Sequence, residues 1–250
     1  MSTLSVIILT RNEENNILDC LEGIKSLDEV IIIDDFSEDR TLELVKSFDS
    51  KIKIFQRKLE RDFSAQRNFG LSKVTCEWVL FIDADERVSP DLLSEINSAV
   101  IENKSDGFLI KRMDIFWDRK LKHGETGSVA LLKLARRSAG KWGGKVHETW
   151  NVKGRVGELE NELIHYPHQS VKEFLKEINL YSSIRADELK QLRQKVSWKD
   201  IILYPKIKFL RNYFLKLGFL DGLPGFIIAV MMSFHSFLVR SKLWFLQNEK

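Results

Sequence analysis

Cysteine is scarce. The 250 residues carry two, Cys20 and Cys76, too few for a disulfide framework and without the Cys/His spacing of a zinc site. That excludes the disulfide-stapled domains and points to a reducing, cytosolic setting. No secretory leader is expected either. The first apolar run, residues 4–9, is too short for an h-region, and no basic residue precedes it. Internal repeats and low-complexity tracts are lacking. A hydrophobic content of 44% and a charged content of 30% exclude a disordered chain. The length suits one large domain, or one domain with an appendage.

The formal net charge is +3, unevenly spread. Residues 199–250 hold eight Lys/Arg and three Asp/Glu, so the remainder is slightly acidic. The first hundred residues alternate apolar runs with helical periodicity. LSVIIL (4–9), EVIIID (29–34), KIKIFQ (51–56) and WVLFID (78–83) read as strands. Helices are expected between them: Ile17, Leu18, Leu21 and Ile24 share a face in the first, and Ser37 is the expected N-cap of the second. FSAQRNFGLSKV reads as a helix containing a glycine, and Ser89-Pro90 opens another that runs to about Glu102. The expected fold is therefore α/β, with right-handed βαβ units, a mostly parallel sheet and helices on both faces. Residues 107–164 read as an added mixed-sheet section with glycine-rich turns. A long helix follows, with Ser170 and Glu173 as capping box and Val171, Phe174, Leu175, Ile178 and Tyr181 as its apolar face.

Two strands end in acids, IIIDDFSED (31–39) and LFIDADE (80–86). Parallel α/β sheets bind ligands beyond the carboxyl ends of their strands, so both clusters belong on one edge. Clustered carboxylates repel unless a cation or donor groups join them. Asp-Ala-Asp suits a hard cation, Mg²⁺ or Mn²⁺, whose shell substrate phosphates often complete. Alternatively, DADE is a solvated turn before Ser89.

TRNEE (10–14), IIIDDFSED (31–39), SAQRNFG (64–70) and FIDADE (81–86) resemble, in order and spacing, the nucleotide-binding half of family 2 glycosyltransferases with the GT-A fold. The resemblance covers residues 3–105. WGGKVHETW (142–150) and NELIHYPHQS (161–170) resemble the subgroup that contains lipopolysaccharide core glucosyltransferases. The resemblance implies a GT-A catalytic domain over residues 1–168, with a nucleotide half (1–105) and an acceptor section (106–168). Residues 169–250 form a helical extension. It implies that Thr10, Asn12 and Glu13 wrap the nucleobase and that Asp35 accepts the uracil N3–H. Arg67 and Asn68 would lie beside the nucleotide and diphosphate, Asp83 at the ribose or a metal-bound water, and Asp85 on the metal. On residue type alone, Asn12 and Ser37 serve equally well as helix caps, and Arg67 as a solvated helix charge.

The family is inverting, so one displacement needs one general base and a cation for the departing diphosphate. Glu148, with His147 beside it, matches the family's base in position and type. His165 is a candidate to complete the metal shell. The donor implied is a UDP-sugar, UDP-glucose by the subgroup resemblance, and the acceptor a glycolipid or saccharide of lipopolysaccharide core type.

The tail interleaves Phe209, Tyr213, Phe214 and Phe219 with Lys206, Lys208, Arg211 and Lys216, and residues 224–239 hold no Lys, Arg, Asp or Glu. That pattern fits an interfacial helix on an anionic membrane surface or a homo-oligomer contact; otherwise both helices pack on the core. No nucleic-acid motif accompanies the charge, so nucleic acid is not an expected partner. The expected location is cytoplasmic, peripheral to the inner face of the cytoplasmic membrane. Competing readings are a polyprenyl-phosphate or protein glycosyltransferase of the same fold, and a non-catalytic nucleotide-sugar or glycan-binding protein. A nucleotidyltransferase would carry a glycine-rich phosphate loop where TRNEENN has none.

Overall fold

The structure is a computed structural model that describes residues 3–125, 129–144, 148–167 and 170–249. His147, expected beside the base, lies outside the described residues. The chain divides into two compact units, one of Met1–Arg112 with Val129–His165, the other of Met113–Ser128 with Tyr166–Lys250.

The first unit begins with β1 (Leu4–Thr10), α1 (Ile17–Glu22), β2 (Glu29–Asp34), α2 (Thr41–Phe48), β3 (Lys53–Gln56), α3 (Phe63–Leu71) and β4 (Trp78–Asp83). A two-residue turn leads to β5 (Glu86–Arg87), and then come α4 (Pro90–Glu102) and β6 (Gly107–Phe116). The short β7 (Arg119–Lys120) belongs to the second unit. The first resumes with β8 (Val129–Arg136), β9 (Gly140–Gly143), β10 (Thr149–Val152), β11 (Val156–Glu158) and β12 (Leu163–His165).

The main sheet has the order β3-β2-β1-β4-β8-β6-β12-β5, with β11 also on β6. β3, β2, β1 and β4 are parallel. β8 then runs antiparallel to both β4 and β6, which extends the nucleotide half into the added section. β9 and β10 form a separate antiparallel ladder. Alternate residues of the parallel strands serve two cores, as period-2 geometry requires. Val6, Ile8, Ile32 and Leu80 join α1, α2 and α4 on one face. Ile7, Ile31, Val79 and Phe81 join α3, Trp142 and Trp150 on the other. Gly70 lets α3 lie close: a Cβ there would sit 2.8 Å from Ile7 Cγ2 and 3.1 Å from Ile33 Cγ1.

The pairing of Leu9 with Asp83 and of Thr10 with Asp34 brings both acidic strand ends to one edge, flanking β1. At the opposite edge, Glu29 accepts from Ser5 Oγ (2.5 Å), Lys53 Nζ (2.5 Å), Thr75 N (2.9 Å) and Thr75 Oγ1 (2.9 Å). These donors overcome the effect of burial and lower its carboxyl to about 2.

Two local expectations are corrected. Ser37 does not cap α2, which starts at Thr41; its hydroxyl instead donates to Asp34 and accepts from Asn12 N at 2.9 Å. Asn12 is not a helix cap either. It adopts a left-handed conformation (φ 57°), and its Oδ1 accepts from Glu38 N at 2.8 Å. Both side chains lock the β1 loop to the β2 loop.

In the second unit, β7 pairs with the end of β6 through a tight turn at Trp117 and Asp118. The other elements are α5 (Val171–Gln191), α6 (Trp198–Leu210), a π-helical stretch (Arg211–Leu215), a 3₁₀ turn (Gly218–Asp221) and α7 (Gly222–Asn248). Ser170 caps α5, accepting from Glu173 N. Of its expected apolar face, Phe174 and Ile178 are buried against Phe116, Leu121 and Ile228, whereas Val171 and Leu175 are exposed. Ala186 and Leu189 meet Val239 and Leu243 of α7.

Candidate functional site

The site is built at the shared acidic edge of the first unit. Asp34 is fully buried and structural. It accepts from Thr10 Oγ1 (3.2 Å), Ser37 N (3.0 Å) and Gln56 Nε2 (3.0 Å), which join β1, β2 and β3. Asp35, also buried, accepts from Leu59 N at 2.9 Å and pairs with the exposed Arg11 at 2.7 Å. Glu13 donates its N–H to Thr41 Oγ1 at 2.7 Å and accepts from Asn16 Nδ2 at 2.9 Å. Thr10, Asn12, Glu13 and Asp35 are thus gathered on two cross-bonded loops. Asp35 is the buried carboxylate whose partner Arg11 reaches in from solvent.

The DADE turn is the second part. Asp83 ends β4, and its backbone N–H donates to Glu86 Oε2 at 2.9 Å. Arg67 Nη2 and Lys133 Nζ each donate to Asp83, both at 3.0 Å, and Lys133 Nζ also reaches Glu86 at 2.7 Å. Burial acts to raise the Asp83 carboxyl, but the two cations overcome it and hold Asp83 well below the ordinary carboxylate range. Glu86 is fully buried, and burial pushes its carboxyl up despite Lys133. Glu86 Oε1 has no hydrogen-bond partner among the described residues. Arg87 fastens the turn by donating to Ala84 O at 2.9 Å and to Asn16 Oδ1 at 3.3 Å.

Arg67 is buried, not solvated. Its guanidinium lies over Trp142, 4.8 Å from the ring centroid, and its Nε donates to Glu148 Oε1 at 3.2 Å. Trp142 and Trp150, paired across β9 and β10, stack on each other at 5.4 Å, and both meet the ring of Phe81 edge-on at 5.1 and 5.0 Å, forming a floor under the guanidinium. Arg67 Nη1 is buried without a partner among the described residues. Asn68, read with Arg67 as beside the nucleotide, turns to β9. It donates to Trp142 O at 2.9 Å and accepts from Trp142 N at 3.0 Å, so it fixes the tryptophan floor.

Asp85 and His165 meet at 3.2 Å between Oδ2 and Nε2, because His165 on β12 pairs with Glu86 on β5. Among the described residues no three His, Cys, Asp or Glu side chains converge as a metal cage. The pair nevertheless fits a hard octahedral cation. Two donors at right angles, each about 2.1 Å from one ion, lie about 3 Å apart, and Mg²⁺-like ions usually keep other positions for phosphates and water.

The sequence reading missed Lys133 and gave Glu86 no role. The only signal was one charge inside the apolar VALLKLAR. The pairing of β6 with β8 jumps from Phe108↔Leu134 to Leu109↔Leu132, so Lys133 is the extra residue of a bulge. Bulges re-aim side chains next to functional sites, and no alternation pattern reveals that.

Residues 5–159 match the family model for Glycosyl transferase family 2. The lipopolysaccharide core biosynthesis glycosyltransferase LpsC of Rhizobium meliloti is 30% identical over 249 residues, 96% of this chain and 92% of that protein. An uncharacterized glycosyltransferase of Rickettsia typhi is 26% identical over 97% of this chain and 87% of its own. Among solved structures, Staphylococcus aureus TarS 1-349 superposes with TM-score 0.51 at 18% identity, covering 99% of this chain and 92% of that one. The mannosyltransferase PcManGT of Pyrobaculum calidifontis, solved with GDP-Man and Mn²⁺, gives TM-score 0.56 at 13% identity, covering 98% and 88%. The structural likenesses show a common α/β fold of the GT-A type.

Proposed function

The chain belongs to glycosyl transferase family 2, and on that premise we propose that it moves a hexose from a UDP-sugar, glucose in the first instance, onto a glycolipid acceptor of lipopolysaccharide core type. The acceptor class rests on the likeness to LpsC across nearly the whole chain. The observation that carries the chemistry is the acidic turn at the strand edge, in which Arg67 and Lys133 neutralise Asp83 and Glu86 while Asp85 is set against His165.

In this reading Asp35 exchanges Arg11 for the uracil N3–H, a donor that cytosine lacks. Thr10, Asn12 and Glu13 line the base with their cross-bonded loops. Asp83, kept ionised by its two cations, accepts from the ribose. Arg67 Nη1, buried and unpartnered, offers a donor to the diphosphate. Asp85 and His165 hold Mn²⁺ or Mg²⁺, which stabilises the charge that the diphosphate gains. Glu148 takes the proton of the acceptor hydroxyl. Its pairing with Arg67 through Oε1 fixes the position of the carboxylate. One base and no covalent enzyme intermediate give inversion at the sugar. The enzyme works in the cytoplasm at the inner membrane face, where its acceptor is carried.

The test is transfer from UDP-glucose, UDP-galactose, UDP-N-acetylglucosamine and GDP-mannose to core-type glycolipids, with the native chain and with Glu148→Gln. UDP-glucose turnover that Glu148→Gln lowers at least a hundredfold, with donor binding unchanged, is expected. Full turnover in that variant removes Glu148 as the base, and transfer from GDP-mannose alone contradicts the uracil role of Asp35.

A further inference from the structure

The second unit carries an apolar surface that its own fold leaves uncovered. α6 buries none of its residues. Leu215 is 80% exposed, Leu223 66% and Trp198 64%. On α7, Leu223, Phe226, Val230, Phe234 and Phe237 recur every three or four residues, and all are exposed. Soluble monomers rarely leave contiguous apolar surface on this scale.

The corner between α6 and α7 is where this surface meets charge. The arm made of β7 and the residues after it is clamped there. Lys122 N and His123 N donate to Asp221 Oδ2 at 3.1 and 2.8 Å, and His123 Nδ1 lies 2.8 Å from Asp221 Oδ1. Gly124 N donates to Lys216 O at 2.9 Å, and Glu125 takes Lys208 and Asn212. The arm therefore presents Trp117, Arg119, Lys120 and Lys122, all exposed, beside the leucines of the corner. Trp117 and Asp118 both have positive φ, 48° and 58°. Bulky residues seldom accept that conformation, so the turn holds the indole, stacked on Phe116 at 4.6 Å with its outer face exposed, at some cost in strain. Asp118 is the one exposed acid of the arm; Asp221 is covered by its partners.

We propose that this corner, the 117–122 arm together with the 214–223 turn, is a membrane-insertion wedge for an anionic bilayer surface, with its leucines and Trp117 entering the acyl boundary and Arg119, Lys120, Lys122, Arg211 and Lys216 meeting lipid phosphates. Aromatics and leucines ringed by cations are the chemistry of an interfacial anchor. A membrane span is the rival use of the same helix, since residues Gly218–Asn248 are long and apolar enough to cross a bilayer. The packing opposes it. α7 buries Ile228, Ala229, Val239 and Leu243, and Lys242 Nζ bonds Asn179 O (2.6 Å), Ser182 Oγ (2.8 Å) and Ser183 Oγ (2.7 Å) of the highly charged α5. A span ending at Val239 would leave Arg240 and Lys242 at the interface, but α5, packed along α7 through Ile178 and Ala186, would enter hydrocarbon with its charges. The helix lies in the plane instead. This deepens the reading of an enzyme with a membrane-borne acceptor, and rests on it only for the choice of a bilayer.

The experiment is sedimentation of the full chain with vesicles of phosphatidylcholine alone or mixed equally with phosphatidylglycerol. Arg119→Gln/Lys120→Gln/Lys122→Gln is expected to weaken binding to the anionic vesicles about a hundredfold, roughly fivefold for each charge, with no change on neutral ones. Leu215→Ser/Leu220→Ser is expected to weaken both more than tenfold. The exposed Ile101→Ser is the control and should bind like wild type. Wild-type binding by both multiple variants overturns the wedge. So does a change in their mass by light scattering without a change in vesicle binding, which would make the surface a contact between copies. UDP binding, measured in parallel, separates the two readings: variants that keep it yet leave the vesicles fail in docking alone, and vesicle binding without any nucleotide binding overturns the glycosyl-transfer reading only.

Discussion

Replacing Lys133 with methionine should expose how the acidic turn is stabilised. The ammonium lies 3.0 Å from Asp83 and 2.7 Å from Glu86, buried with the latter. Methionine fills most of the volume but leaves Asp83 to Arg67 alone and Glu86 with only the Asp83 N–H. Removing one partner of a buried ion pair costs about 3–5 kcal/mol. Glu86 has an escape, because it can take up a proton. That escape costs about 1.4 kcal/mol for each pH unit above its ordinary value of about 4.5. The sign follows. Burial already raises Glu86 in the native chain, and a carboxyl raised on folding contributes stability below its unfolded pKa that is lost as pH rises through the folded value. Without Lys133 the folded value climbs further. The variant's deficit should therefore be under about 2 kcal/mol at pH 5 and about 3–5 kcal/mol at pH 8. Urea denaturation of both proteins at the two pH values measures it. Lys133→Met/Glu86→Gln should recover most of the loss at pH 8. A deficit independent of pH, or no recovery in the double variant, excludes Lys133 as the group that holds Glu86 in the folded turn.

Glu29 gives the opposite pH dependence. Lowered to about 2, it contributes about 3 kcal/mol that is present above its unfolded pKa and lost as pH falls through about 2; Glu29→Gln should flatten the acid limb of the stability curve, and an unchanged limb excludes it. Gly70→Ala drives a Cβ to 2.8 Å from Ile7 and should cost about 1–3 kcal/mol by overpacking, with a neutral melting temperature as the contrary result. Cys20 and Cys76 are both buried, and burial pushes the Cys20 thiol up. Neither should alkylate in native buffer, and both should in urea; fast native labelling would contradict the burial.

Much of the fold was legible because the parallel strands are continuous apolar runs, a pattern that burial on both faces produces. WVLFID, EVIIID and LSVIIL all formed the strands they suggested. The acids were legible as a group because strand-end position is a property of order alone. What failed was anything decided by a partner far along the chain. Ser37 looked like a cap and became a bridge to Asn12, 25 residues away. On residue type alone Arg67 was equally a solvated charge, because a helix reading knows nothing of Trp142, which packs on it. Lys133 was invisible because a bulge, not the strand period, aims it at Asp83. In the tail, composition gave the basic aromatic character, but the arm at residues 117–122 could not be joined to it without the His123–Asp221 clamp.

The proposed transfer requires the acidic edge to bind a uridine diphosphate through a divalent cation. Calorimetric titration of UDP, GDP, CDP and ADP, each with and without Mn²⁺, tests it most directly, with Asp85→Ala as the paired variant. UDP should bind in preference to the other three, strengthened by Mn²⁺ in the native chain and indifferent to it in Asp85→Ala. Equal binding of all four nucleotides, or the same Mn²⁺ dependence in the variant, would contradict it.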